Sequence, residues 1–152
     1  MLENLTVPEL EAPATGGKTF RLSTARGQPL VLYFYPKDNT PGCTDEGGQF
    51  RDLHGEFERL GCSVYGVSRD SIKSHEGFKA KMSFPFELLS DPDEVLCQMF
   101  GVMKMKNMYG KQVRGIERST FVIDAAGKLR KEWRGVKVPG HAAEVLEFVK
   151  TL

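Results

Sequence analysis

Cysteine is scarce in this chain: three in 152 residues, at positions 43, 62 and 97, with no regular spacing. That is too few for a disulfide framework, and no pair of cysteines or histidines has zinc-ligand spacing. An excess of one charge is missing too. The formal net charge of +1 gives no electrostatic footing for nucleic acid or an anionic membrane surface. No apolar run is long enough to cross a bilayer. The start, Met1-Leu2-Glu3-Asn4-Leu5-Thr6, lacks the basic residues and apolar stretch of a secretory signal. There is no internal repeat and no low-complexity tract. These absences lead to the expectation of a cytoplasmic, reducing setting and one domain over 1–152. Hydrophobic (40%) and charged (27%) residues are present at ordinary globular levels.

What is present is organised around Val31-Leu32-Tyr33-Phe34-Tyr35-Pro36-Lys37-Asp38-Asn39-Thr40-Pro41-Gly42-Cys43-Thr44-Asp45-Glu46. A β-branched and aromatic strand runs into a loop with two prolines, and a cysteine follows where a helical pattern begins. Phe50, Leu53, Phe57 and Leu60 continue one helical face, so a helix is expected over 43–60, with Asp45 and Glu46 in its first turn. Further strands are expected at 18–22, 63–68, 86–90, 119–124 and 129–134. Further helices are expected at 72–82 with Ser71 as N-cap, after Asp91-Pro92-Asp93-Glu94, and over 140–150. Residues 1–18 read as a loop-rich lead-in with room for one short strand. Residues 103–115 read as a loop or irregular hairpin. Strands alternating with helices imply an α/β fold, a mixed central sheet with helices on both faces.

A free thiol near pKa 8.5 is only about 3% thiolate at neutral pH. Lowering its pKa by about 2.5 units takes roughly 3.4 kcal/mol of preference for the anion. A helix N-terminus supplies about 0.3–1 kcal/mol, and a charged hydrogen-bond donor about 1.5–3. A reactive Cys43 therefore needs a cation from elsewhere in the chain, and Arg118 opens the strand 119–124.

The run Pro36-x-x-x-Thr40-x-x-Cys43 together with Arg118 and Ser-Thr-Phe-Val-Ile-Asp resembles the active-site set of the peroxiredoxins. Within them it is most similar to the bacterioferritin comigratory protein, or peroxiredoxin Q, group. Tyr33-Phe34-Tyr35-Pro36, Ser90-Asp91-Pro92, Gly115-Ile116-Glu117-Arg118 and Gly140-His141 follow in the same order. The resemblance implies a thioredoxin-like fold and reduction of hydrogen peroxide or organic hydroperoxides, with no metal or organic cofactor. It implies Cys43 as the nucleophile that becomes a sulfenic acid, and Arg118 as the partner of its anion. Thr40 and the backbone near Gly42 and Cys43 would orient the peroxide, Pro36 would shield the site, and Glu46 would hold Arg118.

The chain departs from that group where the sulfenic acid is resolved: the usual second cysteine falls at Gly48 or Lys79. Cys62, at the far end of its strand, is expected to be buried and structural. Cys97 lies off the apolar centre of its helix and is expected to be partly exposed. The favoured expectation is a one-cysteine cycle, in which thioredoxin, glutaredoxin or glutathione reduces the sulfenic acid of a monomer. The alternative is a Cys43–Cys97 disulfide formed after local unfolding. Gly47-Gly48 would ease opening of the helix or merely allow close packing. Position 46 is Glu, not the second cysteine of Cys-x-x-Cys, and position 49 is Gln, not the arginine of a cysteine phosphatase loop. A glutathione-peroxidase reading ranks below these, and a redox sensor with little turnover is the non-enzymatic alternative. His54 reads as a surface residue, His75 as partnerless, His141 as a cap residue, and Tyr109 and Trp133 as packing residues. Met103, Met105 and Met108 would form a rim or a plain loop.

Overall fold

The computed structural model describes residues 4–152; the first three residues of the lead-in lie outside them. In chain order the elements are β1 (Glu11–Ala14), β2 (Lys18–Arg21), α1 (Leu22–Ala25), β3 (Leu30–Phe34), α2 (Pro41–Asp52), α3 (His54–Arg59) and β4 (Ser63–Ser68). They continue with α4 (Ile72–Met82), β5 (Leu88–Ser90), α5 (Val95–Met99), β6 (Met103–Met108), β7 (Lys111–Ile116), β8 (Ser119–Ile123), β9 (Leu129–Arg134) and α6 (His141–Val149). Seven strands form one sheet in the order β2-β1-β5-β4-β3-β8-β9, parallel at β3–β4 and β4–β5 and antiparallel elsewhere. This is the mixed, helix-covered sheet expected from the alternation of elements.

Every residue of β3 and β8 is buried, so both faces of the central sheet carry a core. Side chains alternate along β3 with period two. Leu30, Leu32 and Phe34 join one cluster with Leu96, Cys97, Phe100 and Phe121. Val31, Tyr33 and Tyr35 join the other with Cys43, Phe50, Phe57, Phe78 and Val145. Each face thus contains one of the two cysteines considered for redox chemistry.

Several expectations need correction. The helix expected at 43–60 begins two residues earlier, because Thr40 takes extended N-cap dihedrals and Pro41 supplies the pre-set first residue. Asp45 and Glu46 therefore lie beyond the first turn. The same helix breaks at Leu53 (φ −98°, ψ 2°), and the buried stripe ends at Phe57, leaving Leu60 37% exposed. Residues 103–116 form a regular antiparallel hairpin in a sheet of its own, Met103 paired with Ile116 and Met108 with Lys111. Tyr109 and Gly110, both at positive φ (53° and 80°), make a turn whose twist suits two strands. Tyr109 is not a packing residue; it is fully exposed. Finally, α5 starts only at Val95, since Glu94 sits in the left-handed region and the Asp91 carboxylate accepts the Leu96 and Cys97 N–H groups. That phase turns Val95 outward and buries Cys97 completely, against the expected partial exposure.

Candidate active site

Cys43 is the third residue of α2, just beyond the carboxyl end of β3. The first intrahelical bond runs from the Thr44 N–H to the Thr40 carbonyl at 2.9 Å. The N–H groups of Gly42 and Cys43 therefore have no partner within the helix, as at any helix start. The sulfur is buried, at 2% exposure, against the aromatic cluster of Tyr33, Tyr35 and Phe50.

Arg118 arrives from the segment between β7 and β8. Its Nη2 donates to Cys43 Sγ at 3.4 Å and its Nη1 to Glu46 Oε1 at 2.6 Å. The approach depends on Gly42, where a Cβ would stand 3.0 Å from Arg118 Nη2. Burial works against the guanidinium cation, but Glu46 and Cys43 outweigh it and raise the Arg118 pKa. Glu46 is 1% exposed, and its Oε2 has no hydrogen-bond partner among the described residues. Burial pushes its pKa up to about 7, with Arg118 pulling it only part of the way back.

Thr40 and Pro36 are half-buried beside this centre. The Thr40 hydroxyl donates to the Lys37 carbonyl at 2.8 Å, which folds the loop and leaves the oxygen's lone pairs to accept. The structure thus brings Cys43, Arg118, Glu46, Gly42 and Thr40 to one place.

Lys106 was not anticipated. Its half-buried amine donates to the Ile116 carbonyl, and burial followed by the charge of Arg118 lowers its pKa. Asp38 and His75 were missed as well. They form a buried pair at 2.7 Å behind the loop, and residues 37 apart in sequence give no local signal of pairing. With Asp70 they are a potential metal-ligand trio.

The structure does not bring Cys97 to this place; it lies under the opposite face of the sheet. Burial and Asp91 raise its thiol pKa strongly. Cys62 is buried as expected, and desolvation pushes its thiol up to about 12. His54 is not a surface residue: its side chain is 13% exposed and pairs with Glu58 at 2.9 Å. His141 does begin the last helix, bonded to the Thr120 hydroxyl at 2.8 Å.

The glycine pair divides between its two explanations. A Cβ at Gly47 would meet the Phe84 ring at 2.4 Å, so close packing requires that glycine. At Gly48 the nearest atom would be 3.6 Å away, so space does not. A cleft of about 380 Å³ beside Gly48 is lined by Thr44, Gln49, Arg51, Met82 and Pro139 among others.

Comparison with known proteins agrees with this picture. Residues 4–132 match the model of the AhpC/TSA family. The chain is 54% identical over 142 residues to peroxiredoxin Bcp of Xanthomonas campestris, covering 93% of this chain and 89% of that protein. A structure of the Xanthomonas campestris bacterioferritin comigratory protein, studied for alkyl peroxide reduction, superposes with a TM-score of 0.89 at 53% identity. It covers 93% of this chain and 90% of that one. A mutant of Xylella fastidiosa PrxQ superposes with a TM-score of 0.94 at 48% identity, covering 99% and 96%.

Proposed function

The chain belongs to the AhpC/TSA family as a peroxiredoxin of the Bcp/PrxQ type, a thiol-dependent peroxidase, and on that premise we propose that Cys43 is its reacting sulfur. The supporting observation is the shared guanidinium, with one nitrogen on Sγ and the other on Glu46.

In the proposed reaction the Cys43 thiolate attacks the terminal oxygen of a hydroperoxide. The O–O bond breaks, its electron pair leaves with the distal oxygen, and that oxygen takes up a proton as water or alcohol. Cys43 is left as a sulfenic acid. Arg118 faces both the sulfur and the charge that develops along the breaking bond. The free N–H groups of Gly42 and Cys43 and the Thr40 hydroxyl orient the peroxide, and Pro36 limits water. The alkyl peroxide activity attributed to the Xanthomonas relative supports organic hydroperoxides as substrates alongside hydrogen peroxide.

An external thiol then attacks the sulfenic sulfur, releasing water and forming a mixed disulfide. A second thiol clears that bond. The burial of Cys97 under the other face supports this one-cysteine cycle over a Cys43–Cys97 link. Thioredoxin, glutaredoxin and glutathione are the reductant classes to compare. The working form is proposed to be a monomer. No helix among the described residues is long and apolar enough to cross a membrane.

The test is peroxide consumption over many cycles with excess dithiol, beside intact-mass analysis after one equivalent of peroxide. One added oxygen on the Cys43 peptide is expected. A stoichiometric Cys43–Cys97 linkage would replace the one-cysteine cycle, and turnover that stops after one equivalent would favour a sensor.

A further inference from the structure

The loop that carries Pro36 and Thr40 is tethered at its middle. Asp38 is its one buried residue, at 5% exposure, and His75 on α4 is fully buried. His75 Nδ1 lies 2.7 Å from Asp38 Oδ2, and Nε2 lies 2.9 Å from the Leu89 carbonyl oxygen. Asp38 also accepts the Tyr35 hydroxyl at 2.6 Å and the Ser74 hydroxyl at 2.8 Å, while its own N–H donates to Asp70 Oδ2 at 2.9 Å.

Burial would raise the Asp38 pKa, but the bonds from His75, Tyr35 and Ser74 hold it below the ordinary carboxylate value. An ionised carboxylate can only accept, so His75 Nδ1 is the donor toward Asp38. This argues against a metal in the Asp38–Asp70–His75 trio. His75 Nδ1 is engaged by Asp38 and Nε2 by the Leu89 carbonyl, and Asp70 Oδ2 already accepts from the Ser68 hydroxyl and the Asp38 N–H.

The rest of the loop has weak anchors. Asn39 is at positive φ (63°) and exposed, its side-chain Oδ1 accepting from the Lys81 amine at 3.4 Å, and the Thr40 hydroxyl bonds only to Lys37 within the loop. Thr40 is in turn the N-cap of the helix that begins at Pro41.

We infer that His75 is a positioning residue for the peroxide reaction: through Asp38 it fixes the 36–40 loop, and with it Thr40 and the helix start at Cys43. The inference rests on Cys43 as the reacting sulfur. His75 touches neither peroxide nor sulfur; it acts by holding Asp38.

Two conservative variants separate this role from plain stability. His75→Asn keeps an amide donor near the Nδ1 position, facing Asp38. His75→Gln keeps one near Nε2, facing Leu89. The rate of Cys43 oxidation by hydroperoxide, read by rapid quench and mass spectrometry, should fall about tenfold in His75→Gln and clearly less in His75→Asn. Rates that are unchanged, or that fall in step with the thermal midpoints of the two variants, would overturn the inference. Nitrogen NMR of the unmodified protein gives a reading that does not depend on the variants folding. A slowly exchanging proton on His75 Nδ1, hydrogen-bonded to Asp38, is expected, and its absence would overturn the assignment. If the unmodified protein reduces peroxide with Cys43 untouched, it is the choice of sulfur that fails.

Discussion

Two buried cysteines lie against opposite faces of the same sheet, and their surroundings differ in sign. Cys43 meets a guanidinium and the open end of a helix. Cys97 meets a carboxylate: the group that caps its helix, Asp91, sits beside a thiol already desolvated by the core. Both are almost inaccessible in the folded chain. Burial alone therefore does not distinguish the two sulfurs; the charge placed next to each does. The same contrast appears among the glycines of α2, where Gly47 answers to a neighbour and Gly48 to none.

Replacing each cysteine tests the contrast most severely. Cys43→Ser should abolish peroxide turnover, whereas Cys97→Ser should leave it within about twofold of the original rate with an external dithiol. A large loss in the second variant would return Cys97 to the catalytic cycle. Next in size is Arg118→Met, expected to slow Cys43 oxidation about a hundredfold, the scale of losing a donor to a developing anion. A fall of less than about threefold would mean that the cation is not what distinguishes the two faces.

Glu46 gives a pH signature. With its pKa near 7, against an ordinary glutamate value of 4.5, the folded protein holds a proton there over a range where the unfolded chain has released it. Its contribution to stability is therefore greatest below about pH 4.5 and is lost as pH climbs through about 7. The unfolding free energy relative to Glu46→Gln should drop by about 2–3 kcal/mol between about pH 5 and pH 8. A flat difference in chemical denaturation would show that Arg118 keeps the carboxylate ionised throughout. The smallest effects belong to the glycines. Gly47→Ala should cost about 1–3 kcal/mol through overpacking on Phe84, while Gly48→Ala should stabilise by about 0.4–1 kcal/mol. Equal changes in the denaturation midpoint would erase the distinction between them.

Much of the scaffold was legible because its signals are local. The buried strands 30–34, 63–68 and 119–123 follow from β-branched and aromatic runs. The Ser71 hydroxyl caps α4 as its position suggests, accepting the Ser74 N–H at 3.2 Å. Cys43 and Arg118 were legible through one thermodynamic deficit, a thiol needing a cation, combined with a motif. The errors share a cause in long-range or backbone effects. Cys97 was misplaced by helical phase because Glu94 takes a left-handed conformation that no periodicity reports. The Asp38–His75 pair joins a loop to a distant helix. The regularity of the hairpin was missed, a loop or irregular hairpin being expected although Met-Lys-Met-Lys alternates with the period of a strand, because its turn uses tyrosine where asparagine or aspartate is usual.

That hairpin has a practical consequence for any oxidation experiment. Met105 and Met108 stand 60% and 49% exposed. Once hydroperoxide outruns the supply of reductant, these thioethers become the accessible targets, and each sulfoxide adds the same mass as a sulfenic acid. Stoichiometry therefore has to be assigned peptide by peptide, or in Met105→Leu/Met108→Leu protein, before an added oxygen is credited to the active thiol.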